Sequence, residues 1–205
     1  MNTRNRTSSE YIGYGLYFYF SGLSLRKTSE RISSCFIKRN HVSIWNWIQQ
    51  KYKPKKIFER KKKIEEFIID ETLIKIGSEL IWLWVATIGF GSKEILGISI
   101  SKERNMLRAE KFVSSLVKKI HGQHPVSTDR GTLYPQACRF LRLPHHIHSS
   151  YEKSIIERTI QYIKDRTECF DDYFPCRKKS CKLLHVWNWL NLFMGYHNKQ
   201  LQIVK

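Results

Sequence analysis

The chain has 205 residues, and its 36 lysines and arginines against 18 acidic residues give a formal net charge of +18. A hydrophobic content of 41% with 13% aromatic residues excludes an intrinsically disordered chain. Its apolar runs are too short for a membrane span, and the Tyr11–Phe20 stretch has no small-residue cleavage site of the kind that follows a signal peptide. We therefore expect a basic globular protein of the cytoplasm, without a membrane partner.

The positive charge is concentrated near the N-terminus. Residues 1–63 carry 15 basic and 3 acidic residues, whereas residues 64–205 carry 21 and 15. This asymmetry indicates a polyanionic partner, most simply nucleic acid. A solubilising surface is the alternative, although charges of both signs would serve that purpose better.

Residues 1–50 are predicted to be helical and to bind DNA. We expect helices over Tyr11–Ser21 and Leu25–Ser33, then a third from Asn40 or Ser43 to Gln50 with an apolar stripe of Val42, Trp45 and Ile48. The order fits a helix-turn-helix whose second helix enters the major groove by its N-terminal end. An ordinary helical hairpin is the alternative. The candidate DNA contacts here are Arg39, Asn40, His41 and Ser43.

Residues 51–63 are predicted to be a basic linker. The segment holds eight basic residues and one acid, and Pro54 prevents a continuous helix. Such a segment can lie along phosphates and release counterions, although a solvated spacer has the same composition. The candidate phosphate contacts are Lys55, Lys56, Lys61, Lys62 and Lys63.

From residue 64 onward the pattern changes to a mixed α/β order. Short β-prone runs punctuated by glycines predict three strands in hairpin succession, followed by helices that alternate with two short strands and by a last aromatic helix. The predicted strands are Phe67–Ile76, Leu80–Ile88, Glu94–Ser101, Pro125–Thr128 and His145–His148. The predicted helices are Met106–Ile120, Tyr134–Leu141, Ser154–Phe170 and Val186–Tyr196.

Three acids occupy positions suited to metal chemistry. Asp70 lies inside a hydrophobic strand, where a carboxylate is costly unless it is paired or binds a metal. Asp129 follows the fourth strand, and Glu157 lies beside Ile156 near the start of a long helix. If the first and fourth strands are neighbours, Asp70 and Asp129 lie side by side. Carboxylates around one point suit Mg²⁺ or Mn²⁺, and two such ions support phosphodiester chemistry.

A zinc site is a weaker hypothesis. Cys169, Cys176, Cys181 and His185 supply a Cys₃His set, but their gaps lack the closely paired cysteines typical of zinc sites. Five cysteines without an exported context are better explained as free thiols.

The motifs, taken in order, resemble the DDE transposases of prokaryotic insertion sequences, especially the archaeal-like branch of insertion-sequence family six. The resemblance covers nearly the whole chain. It is carried by the segments Gly-Leu-Ser-Leu-Arg (22–26), His-Val-Ser-Ile-Trp-Asn-Trp (41–47), Ile-Asp-Glu-Thr (69–72), Trp-Leu-Trp-Val-Ala (82–86), Thr-Asp-Arg-Gly (128–131), Ile-Glu-Arg (156–158), Lys-Asp-Arg-Thr (164–167) and Phe-Asp-Asp-Tyr-Phe-Pro (170–175).

The resemblance implies an RNase H-like catalytic domain at 64–205, an integrase-type core behind an N-terminal helix-turn-helix. It implies Asp70, Asp129 and Glu157 as the metal carboxylates of DNA cleavage and strand transfer, with two Mg²⁺ or Mn²⁺ ions. The partners would be the element's terminal repeats, target DNA and a second copy of the chain, in a homodimer or larger assembly near the nucleoid.

Two basic residues of the long helix, Arg158 and Lys164, are candidate phosphate contacts, although a solvated helix face would also explain them. The rival interpretation is a non-catalytic DNA-binding protein or a decayed transposase that retains only end binding. Arg130 and Ser154 leave this rival interpretation open, because relatives often have a small residue at the position of Arg130 and Asn at the position of Ser154. A structure-selective nuclease on the same core is a third interpretation.

Overall fold

The chain folds into two units, Met1–Lys55 and Lys56–Lys205. The computed structural model describes residues 7–51, 64–89, 92–120, 122–167 and 183–203. In these ranges no helix combines the length and the apolar character that crossing a bilayer requires. The predicted linker, with Lys55, Lys56, Lys61, Lys62 and Lys63, lies outside them, as do Cys169, Cys176 and Cys181 of the zinc hypothesis.

Residues 7–51 of the first unit form three α-helices, and each follows a polar capping residue. Its elements are α1 (Ser9–Phe20), α2 (Leu25–Cys35) and α3 (His41–Asn46), which runs on into a π-helical turn, Trp47–Lys51. The side chains of Ser8, Ser24 and Asn40 each accept a hydrogen bond from a backbone N–H in the first turn of the helix that follows. Sequence periodicity therefore located all three helices.

Close helix packing in the first unit depends on one glycine. A Cβ atom at Gly15 of α1 would lie 2.6 Å from Ile32 Cδ1 and 2.8 Å from Trp47 Cζ3. Real Cβ atoms do not approach other heavy atoms that closely, so only glycine lets α1 lie against these two buried side chains.

The predicted apolar stripe of α3 was wrong in part. Val42 is 48% exposed, whereas Ile44, Trp47 and Ile48 are buried. The buried positions follow the i, i+3, i+4 spacing of a helix face. The predicted i, i+3, i+6 stripe shares only Ile48 with them. The change to π-helical geometry at Trp47 further alters which side chains face inward.

The second unit is built on a five-stranded sheet in the order β3-β2-β1-β4-β5. The first three strands pair antiparallel, and β1, β4 and β5 pair parallel. This mixed sheet with helices packed on it is the predicted RNase H-like fold. The strands are β1 (Phe67–Ile76), β2 (Glu79–Ile88), β3 (Ile95–Ser101), β4 (Val126–Thr128) and β5 (His145–Ile147).

Among the described residues, four helices accompany the sheet. They are α4 (Met106–Val117), α5 (Leu133–Phe140), α6 (Ser150–Thr167) and α7 (Leu183–Ile203). The helix α6 begins four residues before the predicted Ser154, because Ser149 and Glu152 form a reciprocal capping box: the Ser149 N–H donates to Glu152 Oε2 at 2.6 Å, and the Glu152 N–H donates to Ser149 Oγ at 3.3 Å. The last helix is longer than predicted at both ends.

The two faces of the sheet are covered by different helices. Phe67, Ile69 and Trp84 pack with residues of α4 and α5 in one continuous core. The helix α6 packs on β1 and β2, and α7 packs on β3. The buried Asn198 of α7 fixes that last contact, since its side chain both accepts from the Ile95 N–H and donates to the Ile95 carbonyl at 2.9 Å.

Candidate active site

The parallel pairing of β1 with β4 brings Asp70 of β1 and Asp129, which directly follows β4, to the same part of the sheet. Strands β1 and β4 pair with Phe67 opposite Val126 and Ile68 opposite Ser127. Each aspartate is two residues beyond a paired residue, Asp70 within β1 and Asp129 one residue past the end of β4. The sequence prediction that these residues become neighbours depended on β1 lying next to β4, and the strand order meets that condition.

Glu157 reaches the same region from α6. Burial, together with the carboxylates of Glu71, Asp129 and Glu157, raises the pKa of Asp70 to about 6, against the opposing effect of a 2.8 Å hydrogen bond from the Glu71 N–H. The three predicted carboxylates therefore interact electrostatically. Glu157 is exposed, and its 3.7 Å contact with Lys153 lies in solvent, where such pairs contribute little.

The three predicted carboxylates do not lie close enough together to share one metal ion. Within the described ranges, the three ligating atoms that lie within 4.8 Å of one another belong to a different set, Glu66, His146 and Glu152. Asp70, Asp129 and Glu157 would thus have to move closer to share an ion. The donor set still fits Mg²⁺ or Mn²⁺, because these hard dications prefer carboxylate oxygens and would offset the burial and the neighbouring negative charges that raise the pKa of Asp70.

Asp129 is held by its own turn. The Gly131 N–H donates to Asp129 Oδ1 at 2.9 Å, and a Cβ atom at Gly131 would lie 2.8 Å from the same oxygen. Glycine therefore permits this close approach, and the intervening Arg130 is exposed. A cleft of about 440 Å³ opens beside the aspartate, and it is lined by Asp129, Arg130, Pro135, His145, His146 and Ile147.

Glu71 points to the opposite face of the sheet from Asp70, as strand alternation predicts. Its side chain is only 3% exposed, accepts from Arg104 Nε at 2.6 Å, and accepts a short hydrogen bond from the Tyr134 hydroxyl. Arg104 in turn lies 5.4 Å from the centre of the Trp82 ring. These contacts hold in place the part of β1 that carries Asp70. Sequence reasoning missed Arg104 and Tyr134, which no local pattern marks.

The predicted DNA contacts of the first unit lie around the start of α3. Asn40 is exposed and is also the helix cap, since its Oδ1 accepts from the Ser43 N–H at 2.9 Å and from the Ser43 hydroxyl at 3.0 Å. Arg39 is half-buried, and its Nε donates to Thr7 Oγ1 at 2.7 Å. His41 is also half-buried.

On α6, the two predicted phosphate contacts differ in exposure. Arg158 is exposed, and Lys164 is half-buried. Of the zinc hypothesis, His185 lies on α7 within the described residues, while its three cysteines lie outside them. The two described cysteines, Cys35 and Cys138, are free thiols.

Comparison with known proteins identifies a family. Residues 65–178, more than half of the chain, match the model of a DDE domain of the IS240 transposase type. The chain is also 32% identical over 197 residues to the uncharacterized protein MJ0017 of Methanocaldococcus jannaschii, covering 95% of this chain and 88% of the relative.

Solved structures of retroviral integrases are more distant. The simian T-cell lymphotropic virus intasome in complex with the PP2A regulatory subunit B56 gamma has 14% identity and a TM-score of 0.49, over 86% of this chain and 67% of that one. The HTLV-2 integrase catalytic core domain in complex with magnesium has 15% identity and a TM-score of 0.47, over 64% of this chain and 87% of that one. The family assignment rests on the DDE-domain match and the archaeal relative.

Proposed function

The chain belongs to the DDE domain family of transposases and integrases, enzymes of the polynucleotidyl transferase type, and we propose that it is a transposase that cleaves the ends of an insertion sequence and joins them to target DNA. The observation that carries the proposal is the pairing of β1, which holds Asp70, with β4, which Asp129 directly follows; Glu157 on α6 is close enough for its charge to raise the pKa of Asp70.

In this proposal Asp70, Asp129 and Glu157 hold two Mg²⁺ or Mn²⁺ ions. Bound there, such ions activate an attacking oxygen and stabilise the leaving oxygen of a phosphodiester. The chain's own residues orient the scissile phosphate, since β1 and β4 fix two of the carboxylates and α6 carries the third. Arg158 and Lys164, one and seven residues beyond Glu157, contact neighbouring phosphates.

The first unit supplies recognition of the element ends in the same proposal. The helices α2 and α3 form the helix-turn-helix of residues 1–50, with Arg39, Asn40, His41 and Ser43 at the DNA. Residues 51–63 track the backbone as a basic linker, and residues 64–205 form the catalytic domain. Because transposition joins two ends, the active form is a dimer or larger, acting at the nucleoid in the cytoplasm.

Within this family, we propose that the chain belongs to the archaeal-like branch of insertion-sequence family six. It is supported by the relative from Methanocaldococcus jannaschii, an archaeon, which aligns over 95% of the chain. A further support is the short interval of 28 residues between Asp129 and Glu157.

A strand-transfer assay tests the proposal. Purified protein is given a labelled, pre-nicked element end and a plasmid target in Mg²⁺, Mn²⁺ or EDTA, beside an Asp129→Asn variant whose folding is checked by circular dichroism. We expect joined product that requires metal and is lost in the variant. End binding without joining under both metals, from a folded wild-type protein, would establish the non-catalytic or decayed alternative. Cleavage without joining and without preference for element ends would establish a nuclease.

A further inference from the structure

A second cluster of metal-ligating side chains lies apart from the catalytic carboxylates. Glu66 immediately precedes β1, His146 lies on the edge strand β5, and Glu152 lies in the first turn of α6. His146 Nε2 is 2.8 Å from Glu152 Oε1 and 3.8 Å from Glu66 Oε2, and the three ligating atoms all lie within 4.8 Å of one another. Three separate elements therefore converge on one point.

The cluster contains a buried carboxylate whose hydrogen bonding is incomplete. Glu66 is 8% exposed, and among the described residues its buried Oε1 atom has no hydrogen-bond partner. Its other oxygen, Oε2, faces His146, at a distance too long for a hydrogen bond. A carboxylate in this position is destabilising unless a cation or a proton compensates it.

The other two side chains, Glu152 and His146, meet each other at 2.8 Å. Glu152 is 3% exposed, and its Oε2 accepts the Ser149 N–H, so the capping box orients the carboxylate and leaves Oε1 directed at His146. The side chain of His146 is 42% exposed, which gives an ion a path from solvent. His146 also borders the cleft beside Asp129.

We propose that Glu66, His146 and Glu152 form a binding site for a divalent transition-metal ion, best suited to Zn²⁺. Tetrahedral zinc with bonds of about 2.1 Å places its ligand atoms roughly 3.4 Å apart, a value between the two distances from His146. Two carboxylates balance the charge of the ion. Imidazole is a good ligand for Zn²⁺, whereas Mg²⁺ prefers an all-oxygen set, so this site and the catalytic carboxylates select different ions.

The site is separate from the catalytic carboxylates, and its role is structural. Glu66 precedes Asp70 by four residues, or about 13 Å along an extended strand, and Glu152 precedes Glu157 by five residues, or about 7.5 Å along a helix. An ion here ties the start of β1 and the edge strand β5 to the first turn of α6. It therefore holds in place the helix that carries Glu157, and it takes no part in strand transfer.

The test is Zn²⁺ binding to the full chain, made metal-free with EDTA and freed of cysteine ligands by Cys169→Ser, Cys176→Ser and Cys181→Ser. Equilibrium dialysis against Zn²⁺ in excess Mg²⁺ gives stoichiometry and affinity, and Co²⁺ absorption gives the ligand type. We expect one Zn²⁺ per chain, nitrogen and oxygen ligation without sulfur-to-cobalt charge transfer, and an increase in Tm. His146→Ala and Glu152→Gln should each weaken binding at least tenfold, whereas Asp129→Asn should leave it unchanged.

The variants are chosen to keep the fold. His146 is half-exposed, and glutamine at position 152 retains the capping box while losing the negative charge. Zinc binding that is absent from the protein with these three cysteines replaced, or that is equally tight in the His146→Ala variant, would overturn the site. Weakening by Asp129→Asn instead of His146→Ala would assign the ion to the catalytic carboxylates.

Discussion

Asp70 on β1 and Asp129, which directly follows β4, each lie two residues beyond the paired residues Ile68 and Ser127 of these parallel strands. The β-sheet thus brings together two carboxylates that are 59 residues apart in the sequence. Asp70 is flanked on the strand by Glu71, which is turned to the other face and held there by Arg104 and Tyr134. One carboxylate of the consecutive pair is therefore neutralised in the core, and the other is left for chemistry.

The raised pKa of Asp70 predicts that Asp70→Asn stabilises the metal-free protein. Its folded pKa of about 6 exceeds the usual 3.8, so the folded state binds the proton more tightly. Stability is consequently lost as pH rises from about 4 to about 6. At pH 7.5 urea unfolding should show a gain of about 1–3 kcal/mol in the variant, and the gain should disappear below about pH 4.

The exposed Asp165 of α6 provides the matched control, since Asp165→Asn should change the unfolding free energy little at either pH. Mg²⁺ should stabilise the wild-type protein and have less effect on Asp70→Asn. An Asp70→Asn variant that is less stable than wild type at pH 7.5 would contradict the assigned environment of this carboxylate.

Tyr134→Phe tests the network that holds Glu71. The substitution removes the hydroxyl that donates to the Glu71 carboxylate and leaves that oxygen buried without its donor. We expect a loss of about 1–3 kcal/mol in the free energy of unfolding, measured in urea. Tyr151→Phe, at a side chain that is 56% exposed, is the comparison. Equal effects of the two substitutions would show that the buried hydrogen bond does not stabilise the fold.

Gly15→Ala and Gly13→Ala should have opposite effects although both lie in α1. A methyl group at Gly15 overlaps Ile32 and Trp47, whereas nothing lies within 4 Å of one at Gly13. Overpacking should destabilise the first unit by about 1–3 kcal/mol in Gly15→Ala, while Gly13→Ala should gain about 0.5–1 kcal/mol from helix propensity. Hydrogen–deuterium exchange of α1 and α2 in the full chain reports the change locally. Faster exchange in both variants would refute the packing argument.

Asn40 is predicted to act both as a helix cap and as a DNA contact, and two substitutions separate these roles. Asn40→Ala removes the cap and should cost about 1 kcal/mol of stability. Asn40→Ser keeps a capping oxygen, so its stability should be close to that of wild type. We expect both variants to bind element-end DNA more weakly in a fluorescence anisotropy titration. Full affinity in Asn40→Ser would restrict Asn40 to its capping role.

The sequence was sufficient to predict β1, β2 and β3 and a mixed α/β order, because glycine punctuation and β-prone runs are local signals. The RNase H-like fold was expected from the resemblance to DDE transposases. The sequence also predicted that Asp70 and Asp129 lie side by side if β1 and β4 are neighbours, and the strand order meets that condition. Contacts between residues far apart in the sequence could not be predicted. Glu71 contacts Arg104, which is 33 residues away in the chain, and Tyr134, which is 63 residues away. The exposed Val42 was missed because the buried face of α3 is set by packing on α1 and α2.

The most direct test of the central claim, that Asp70 and Asp129 bind the catalytic metal with Glu157, is the location of Mn²⁺ by anomalous X-ray scattering. Crystals of the full chain would be grown with Mn²⁺, for the wild type and for Asp129→Asn. We predict Mn²⁺ coordinated by both aspartates in the wild type, with Glu157 drawn toward it, and loss of that ion in the variant. Bound Mn²⁺ elsewhere on the chain, with Asp70 and Asp129 left without a ligand, would contradict the account.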